Sequence, residues 1–248
     1  MMKSSLALVA ALSLTSQVMA DNGKVLVNSK GYLTVIENDP KPIMMLQKLK
    51  SDLAIRLHEI GAIKFGDFTL KSGLKSPIYA DLRLLISYPD VMIAVAQLMN
   101  QAASSADFTH ICGVPMGAIP MASIMSAQNI KPLLLVRPEA KEHGTKKMVE
   151  GAFKAGDCCL VIEDVATTGG SVLKTIDELT KAGIVVQDVA VIVNRQQGAT
   201  KNLREKGYNL HSVFTMSEIL DILGNSGKID ERTVQNVKDY LRANSSEL

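Results

Sequence analysis

The stretch that decides the fold of this chain is Cys159-Leu-Val-Ile-Glu-Asp-Val-Ala-Thr-Thr-Gly-Gly-Ser-Val172. An apolar strand ends in two carboxylates, Glu163 and Asp164, and a loop of Thr, Gly and Ser leads directly into a helix. Glycine lets backbone N–H groups approach a ligand closely, hydroxyls add donors, and the amino end of a helix favours an anion. We interpret the loop as a phosphate cradle and the acidic pair as hard oxygen ligands for ribose hydroxyls or Mg²⁺.

The loop differs from the Walker phosphate loop, because no Gly-Lys-Ser/Thr follows the glycines. A lone acidic pair at a strand end is usually a solvated turn, and glycines often do no more than reverse the chain. The complete string of strand, acids, hydroxyls, glycines and helix argues against that simpler interpretation.

Outward from this stretch, apolar strands and amphipathic helices alternate along the chain. The spacing predicts strands over 108–112, 132–137, 158–162 and 189–193, and helices over 46–60, 89–103, 117–128, 172–181 and from 230. Residues 65–84 form short strands and turns, Ser87 is a candidate N-cap, and residues 139–151 form a basic loop. Such alternation predicts an α/β fold whose parallel sheet is covered by helices on both faces, with ligands at the carboxyl ends of the strands.

Composition narrows the class of protein. The 248 residues fit one large domain, and the 47% hydrophobic and 21% charged fractions are typical of a globular core. The 27 basic and 25 acidic side chains leave a net charge of only +2, which argues against nucleic acid or an anionic membrane as partner. The three cysteines include the adjacent Cys158 and Cys159, so we expect reduced, packed thiols.

The N-terminus has a pattern of its own. Residues 1–20 combine Lys3, a short apolar run and a small-residue exit, which is typical of a secretory signal peptide and too short to span a bilayer. The alternative is that translation begins at Met44 or Met45, where the first helical pattern starts. Residues 24–36 alternate and could form a small hairpin.

Four further stretches accompany the phosphate cradle in order. They are Phe65-Gly-Asp-Phe-Thr-Leu-Lys-Ser-Gly73 through Asp81-Leu-Arg83, then Cys112-Gly-Val-Pro-Met-Gly-Ala-Ile-Pro120, then Arg137-Pro-Glu-Ala-Lys-Glu-His-Gly-Thr-Lys-Lys147, and finally Val193-Asn-Arg-Gln-Gln-Gly198. Together with the cradle they resemble the type I phosphoribosyltransferases. Within that family they resemble the orotate branch, particularly the form fused to a decarboxylase in animal UMP synthase. The resemblance covers residues 46–223.

The resemblance implies a fold, an activity and an assembly. The fold would be the type I phosphoribosyltransferase fold, a parallel sheet with helices on both faces and a small hood region. The activity would be orotate phosphoribosyltransferase, which moves the 5-phosphoribosyl group from phosphoribosyl diphosphate to orotate in pyrimidine (UMP) synthesis, with Mg²⁺ carried by the diphosphate. The chain would be a cytoplasmic homodimer in which loop 137–147 completes the partner's site, or an exported one if residues 1–20 are a genuine signal.

The resemblance also assigns roles to residues. Phosphoribosyl diphosphate would contact a set drawn from three loops: Lys71, Arg137, Lys141, His143, Glu163, Asp164, Val165, Ala166, Thr167, Thr168, Gly169, Gly170 and Ser171. Orotate would contact a second set: Lys71, Tyr79, Ala80, Thr167 and Arg195. The catalytic residues would be Arg137, Lys141, His143 and Asp164, and no residue is assigned directly to a metal. Residues 1–44 are then an extension and residues 45–248 a phosphoribosyltransferase domain, with no decarboxylase domain after the final helix.

Four residues at three places in the sequence depart from the family pattern. Pro138 stands where a second basic residue usually follows Arg137, Met116-Gly117 replaces a Tyr and its successor, and Asn194 replaces an Asp. We expect Lys146 or Lys147 to supply the charge missing at Pro138. Two alternatives remain open at this point: a phosphoribosyltransferase for a purine base, and a regulator that binds the activated sugar without catalysis.

Overall fold

The structure is a computed structural model that describes residues 25–27, 33–35, 40–69, 75–137 and 147–245. The elements in chain order are β1 (Val25–Val27), β2 (Leu33–Val35), α1 (Pro40–Glu59), β3 (Ile63–Thr69), β4 (Lys75–Ala80), a 3₁₀ helix (Leu82–Ser87), α2 (Pro89–Ala102), β5 (His110–Gly113), α3 (Ile119–Asn129), β6 (Leu133–Val136), β7 (Val149–Glu150), β8 (Cys158–Ala166), α4 (Gly170–Lys181), β9 (Val185–Asn194), α5 (Ala199–Glu205), β10 (Asn209–Thr215), α6 (Met216–Asn225) and α7 (Glu231–Asn244).

Six strands form the central sheet, in the order β10-β9-β8-β5-β6-β7. Every neighbouring pair is parallel except β6 and β7, which form an antiparallel edge. All four residues of β5 and the run 188–194 in β9 are buried, and successive strand residues point to opposite faces. Both faces are therefore covered, which confirms the predicted α/β fold.

The carboxyl ends of the parallel strands share one edge of the sheet, and this edge positions the site. Strand β8 lies in the middle, with β5 on one side and β9 on the other. The register pairs Gly113 of β5 with Ile162 and pairs Asn194 of β9 with Ala166. The loops that follow β5, β8 and β9 consequently lie side by side.

Two smaller sheets lie outside the central one. Strands β3 and β4 pair in an antiparallel arrangement, and α7 contacts both of them. This small unit matches the hood region that the resemblance implies. Strands β1 and β2 pair antiparallel, with Val25 opposite Val35, as the alternation over 24–36 predicts.

Several predicted boundaries are wrong for identifiable reasons. Ser87 does not cap α2, because it closes the preceding 3₁₀ helix and leaves Tyr88 as an N-cap without a side-chain bond. Strand β8 continues past the acidic pair to Ala166, because its pairing with β9 extends that far. Val149–Glu150 is a strand paired with β6 rather than part of a loop. The predicted cap of the last helix is confirmed, since the Asp230 carboxylate accepts a bond from the Thr233 N–H at 2.7 Å.

Within the described residues, no helix has the length and apolar character needed to cross a membrane.

Candidate active site

The phosphate cradle joins β8 to α4. Gly169 has a φ of +82° and is the N-cap of α4, a backbone conformation that L side chains rarely adopt. No side chain caps the amino end of this helix. Because the first N–H groups of a helix have no partner inside it, those of α4 remain available to an anion. Thr167, Thr168 and Ser171 add three hydroxyl groups to the sequence of this loop and the first turn of the helix.

The acidic pair lies inside the last part of β8 rather than after it. The Ser171 hydroxyl donates to Glu163 Oε2 at 2.7 Å, and the Asp164 N–H donates to Glu163 Oε1 at 3.0 Å. Burial raises the pKa of Glu163 to about 8, and the neighbouring Asp164 carboxylate adds to the shift. At neutral pH, Glu163 therefore largely keeps its proton.

The loop after β5 packs directly against Asp164. A Cβ placed on Gly117 would lie 2.7 Å from Asp164 Oδ2 and 3.6 Å from Arg83 Cγ. The glycine that departs from the family pattern thus makes room for the Asp164 carboxylate in its present position. The adjacent Met116 is 73% exposed, so its side chain fills no part of the core.

The end of β4 presents a second group of predicted residues. Tyr79 is partly exposed, and its ring lies 5.4 Å from that of Phe68. Arg83 donates two hydrogen bonds to Asp81, at 2.7 and 2.8 Å, and these bonds lower the pKa of the Asp81 carboxyl. Of the predicted base-site residues here, Tyr79 and Ala80 belong to β4, whereas Lys71 lies outside the described residues.

Arg195 follows the last residue of β9 and is nearly enclosed by protein. Arg195 is only 9% exposed, and the Nε and Nη2 atoms of its guanidinium are buried without a hydrogen-bond partner. Burial lowers the pKa of this guanidinium. A buried cation whose donors lack partners is costly, so these two nitrogens are candidates for pairing with an anionic ligand.

The residues after β9 are bonded to three successive carbonyls, one at the end of β8 and two in the phosphate cradle. The N–H groups of Arg195 and Ala199 donate to Ala166 and Thr167, at 2.9 and 3.1 Å. The side-chain amide of Asn202 donates to the Thr168 carbonyl at 2.9 Å. Sequence reasoning missed Asn202, because nothing in its local pattern distinguishes it from any other polar helix residue.

Asn194, another departure from the family pattern, organises the same turn. Its Nδ2 donates to Thr200 Oγ1 at 2.9 Å, and its Oδ1 accepts from the Gln196 N–H at 2.8 Å. The amide makes one of these contacts as a donor and the other as an acceptor. Asn194 therefore fixes the backbone on either side of Arg195.

Arg137 lies at the end of β6, on the same edge of the sheet. Its Nε donates to Glu150 Oε1 at 2.8 Å, and its N–H donates to the Met148 carbonyl at 2.9 Å. Lys147 is exposed beside it. Four other predicted positions lie outside the described residues: Pro138, Lys141, His143 and Lys146.

Two histidines and one cysteine lie in structural surroundings. His58 Nδ1 lies 2.9 Å from the Ile63 carbonyl, and His211 Nε2 lies 2.7 Å from Asp188 Oδ1. Burial raises the pKa of the free Cys112 thiol to about 12, which keeps it protonated. Across the part of the chain that the structure describes, no three His, Cys, Asp or Glu side chains are grouped as a metal site.

Comparisons with known proteins agree with this geometry. The phosphoribosyl transferase domain family matches residues 85–220. Bovine uridine 5'-monophosphate synthase is 44% identical over 199 residues, which is 79% of this chain and 42% of the bovine protein. Orotate phosphoribosyltransferase of Pyrococcus horikoshii is 38% identical, with 71% of this chain and 96% of that protein covered.

A solved structure supports the same relationship. The crystal structure of orotate phosphoribosyltransferase from Aeropyrum pernix is similar, with a TM-score of 0.63 and 38% identity over 69% of this chain and 98% of that one. The chain spans about two fifths of the bovine synthase, with 42% of that protein covered. Because the family match extends over more than half of its residues, the chain belongs to the phosphoribosyltransferase family.

Proposed function

We propose that this protein is an orotate phosphoribosyltransferase, which converts orotate and phosphoribosyl diphosphate into orotidine 5'-phosphate and diphosphate. The observation that carries the proposal is Arg195, whose backbone N–H is bonded to the Ala166 carbonyl next to the phosphate cradle and whose Nε and Nη2 atoms are buried without a partner. A planar guanidinium matches a carboxylate through two parallel hydrogen bonds. Orotate offers a carboxylate and the common purine bases do not, so Arg195 favours orotate over the purine alternative. The names of the Pyrococcus and Aeropyrum relatives support the same choice.

Different groups of described residues would bind different parts of the substrates. The cradle, residues 167–171, would bind the 5'-phosphate, and the acidic pair would hold the ribose hydroxyls. Breaking the bond between C1 and the diphosphate builds positive charge on the sugar while a ring nitrogen of orotate forms the new bond to C1. The Asp164 carboxylate, next to a largely neutral Glu163, places fixed negative charge beside that sugar.

The leaving diphosphate needs positive charge. We propose that Arg137, Lys141 and His143 supply part of it, on a loop that excludes water during the reaction. Mg²⁺ carried by the diphosphate would neutralise the rest. The Asp164 carboxylate is a hard oxygen donor that fits this ion, and Mg²⁺ commonly binds through one or two carboxylates together with substrate phosphates.

We also propose that the protein is a homodimer in which loop 137–147 of one subunit reaches the site of the other. A cytoplasmic location agrees with this function, because activated sugar phosphates are made and used there. It also agrees with three free thiols, Cys112, Cys158 and Cys159.

The direct test measures the loss of orotate absorbance on adding phosphoribosyl diphosphate to the full chain, with and without Mg²⁺. We expect Mg²⁺-dependent loss of orotate and matching production of diphosphate. Turnover of adenine, guanine or hypoxanthine in place of orotate would contradict the assignment of the base. Binding of the activated sugar with no turnover of any base would instead identify a regulator.

A further inference from the structure

We propose that Gln196 is a positioning residue, which holds Arg195 in the orientation that pairs with the carboxylate of the base. The inference rests on the proposed function of the same site. It adds a residue to which neither the motifs nor the family resemblance assigned a role.

The backbone of Gln196 is the first observation. Its φ is +59°, and among the described residues the only other non-glycine position with a positive φ is Ile130. Ile130 is the C-cap of α3, where a left-handed residue commonly ends a helix. Gln196 ends no helix and directly follows Arg195. A bulky residue in this conformation persists only when the surrounding structure holds it there, and such positions cluster at functional sites.

The hydrogen bonds of Gln196 show what holds it. Its Oε1 accepts from the N–H and the hydroxyl of Ser217, at 3.0 and 2.7 Å, in the first turn of α6. Its carbonyl accepts from the Ser245 hydroxyl just beyond α7, and its N–H donates to Asn194 Oδ1. Three separate parts of the molecule therefore bind this one residue.

Arg195 presents the opposite pattern one position earlier. Its backbone N–H is bonded to Ala166, but Nε and Nη2 of its side chain are buried and have no partner. The backbone that follows it is held by hydrogen bonds, from the Gln196 N–H to Asn194 Oδ1 and from the Ser245 hydroxyl to the Gln196 carbonyl. Hydrogen bonds thus hold the turn in place and leave the Arg195 guanidinium available to a ligand.

This arrangement matters because paired hydrogen bonds between a guanidinium and a carboxylate depend on orientation. If Gln196 loses its side chain, the strained turn after β9 can relax. The guanidinium of Arg195 then loses its alignment with the base. The cradle depends less on this side chain, because its bonds to the turn come from two backbone N–H groups and from Asn202. Loss of the Gln196 side chain should therefore weaken orotate more than phosphoribosyl diphosphate.

The test compares Gln196→Ala with Gln196→Glu, which keeps an acceptor for Ser217. We expect Gln196→Ala to raise the KM for orotate roughly tenfold, as the loss of one good contact does, while the KM for phosphoribosyl diphosphate changes less than about twofold. Gln196→Glu should recover most of the loss. Gln187→Ala is the matched control, because Gln187 is an exposed glutamine on β9 far from the turn.

Each outcome of this test is decisive. If the wild-type chain turns over no orotate, the proposed function and the role of Gln196 fall together. If it turns over orotate but Gln196→Ala leaves the orotate KM unchanged, or raises both KM values alike with no recovery in Gln196→Glu, only the positioning role is overturned. Should Gln196→Ala not fold, Ser217→Ala removes one of the same bonds from the other side. That variant should raise the orotate KM about threefold.

Discussion

Glu163 is a carboxyl group buried beside a second carboxylate, and its protonation links the site to the stability of the fold. Its pKa rises from 4.5 to about 8 on folding, so the folded protein binds this proton more tightly than the unfolded chain does. Its contribution to stability is complete below pH 4.5 and is lost as the pH rises through about 8. The free energy of unfolding should therefore fall by up to a few kcal/mol across this window, since one pKa unit is worth about 1.4 kcal/mol.

Glu163→Gln keeps the shape of the side chain and removes the titration. We expect the difference in unfolding free energy between this variant and the wild type to grow in favour of the variant between pH 5 and pH 9. Urea unfolding followed by circular dichroism at several pH values measures it. Equal pH slopes in the two proteins would show that Glu163 does not titrate in this range.

Arg195 is expected to bind the substrate, whereas burial of its unpaired guanidinium is expected to destabilise the fold. One substitution distinguishes these two effects. Arg195→Met keeps an unbranched apolar stem and removes the buried cation that lacks a partner. We expect the KM for orotate to rise about tenfold to a hundredfold, the range for loss of a charge-assisted pair, while thermal stability without ligand stays equal or increases. A large fall in the melting temperature would mean that Arg195 supports the fold rather than the substrate.

Helix α5 donates a side-chain hydrogen bond from Asn202 to the phosphate cradle, and the next prediction concerns this contact between the two elements. Asn202→Ala removes the bond to the Thr168 carbonyl and leaves the two backbone bonds of the turn in place. We expect the KM for phosphoribosyl diphosphate to rise about threefold to tenfold, with a smaller effect on orotate. Initial rates at varied sugar concentration measure this change. The neighbouring exposed Lys201, changed to Ala, is the control, and an equal effect there would refute the role of Asn202.

At the level of elements, the sequence predicted the parallel sheet and the cradle, because both depend on local patterns. Apolar runs marked the strands, and the Thr-Gly-Ser string marked the turn before α4. The extension of β8 to Ala166 was missed because it depends on pairing with β9, which no local pattern reveals. The strand Val149–Glu150 was missed for the same reason, since its partner is β6 and its own residues look like part of a polar loop.

The candidate site was predictable to the extent that its residues belong to motifs. Glu163, Asp164 and Arg195 could be chosen from their strings, whereas Asn202 and Gln196 could not. The Asn202 bond spans 34 positions along the chain, and the Gln196 bond to Ser217 spans 21. Contacts at such separations follow from the tertiary fold and leave no spacing signal in the sequence.

For the whole molecule, the proposed dimer makes an assembly-level prediction. If loop 137–147 completes the partner's site, each site combines Lys141 of one subunit with Arg195 of the other. Lys141→Ala then removes the contribution of the first subunit, and Arg195→Ala removes that of the second. Assayed at an orotate concentration well below the raised KM of the Arg195 variant, each variant alone should have little activity. After unfolding and refolding together, half of the dimers would be mixed and each would hold one intact site, so activity should return to about a quarter of the wild-type value.

The control for this experiment mixes each variant with itself through the same procedure. No recovery in the mixed sample, with mixed dimers shown to be present by differently tagged chains, would place both residues in the same subunit's site.

The enclosed guanidinium of Arg195 has a consequence for how wrong substrates are refused. Its Nε and Nη2 atoms are already buried without partners before a base arrives, so the cost of that burial is present in the empty site. A base without an anionic group would leave this cost in place, whereas a carboxylate would relieve it. Selectivity in such a site therefore comes from the relief that only an anionic base provides.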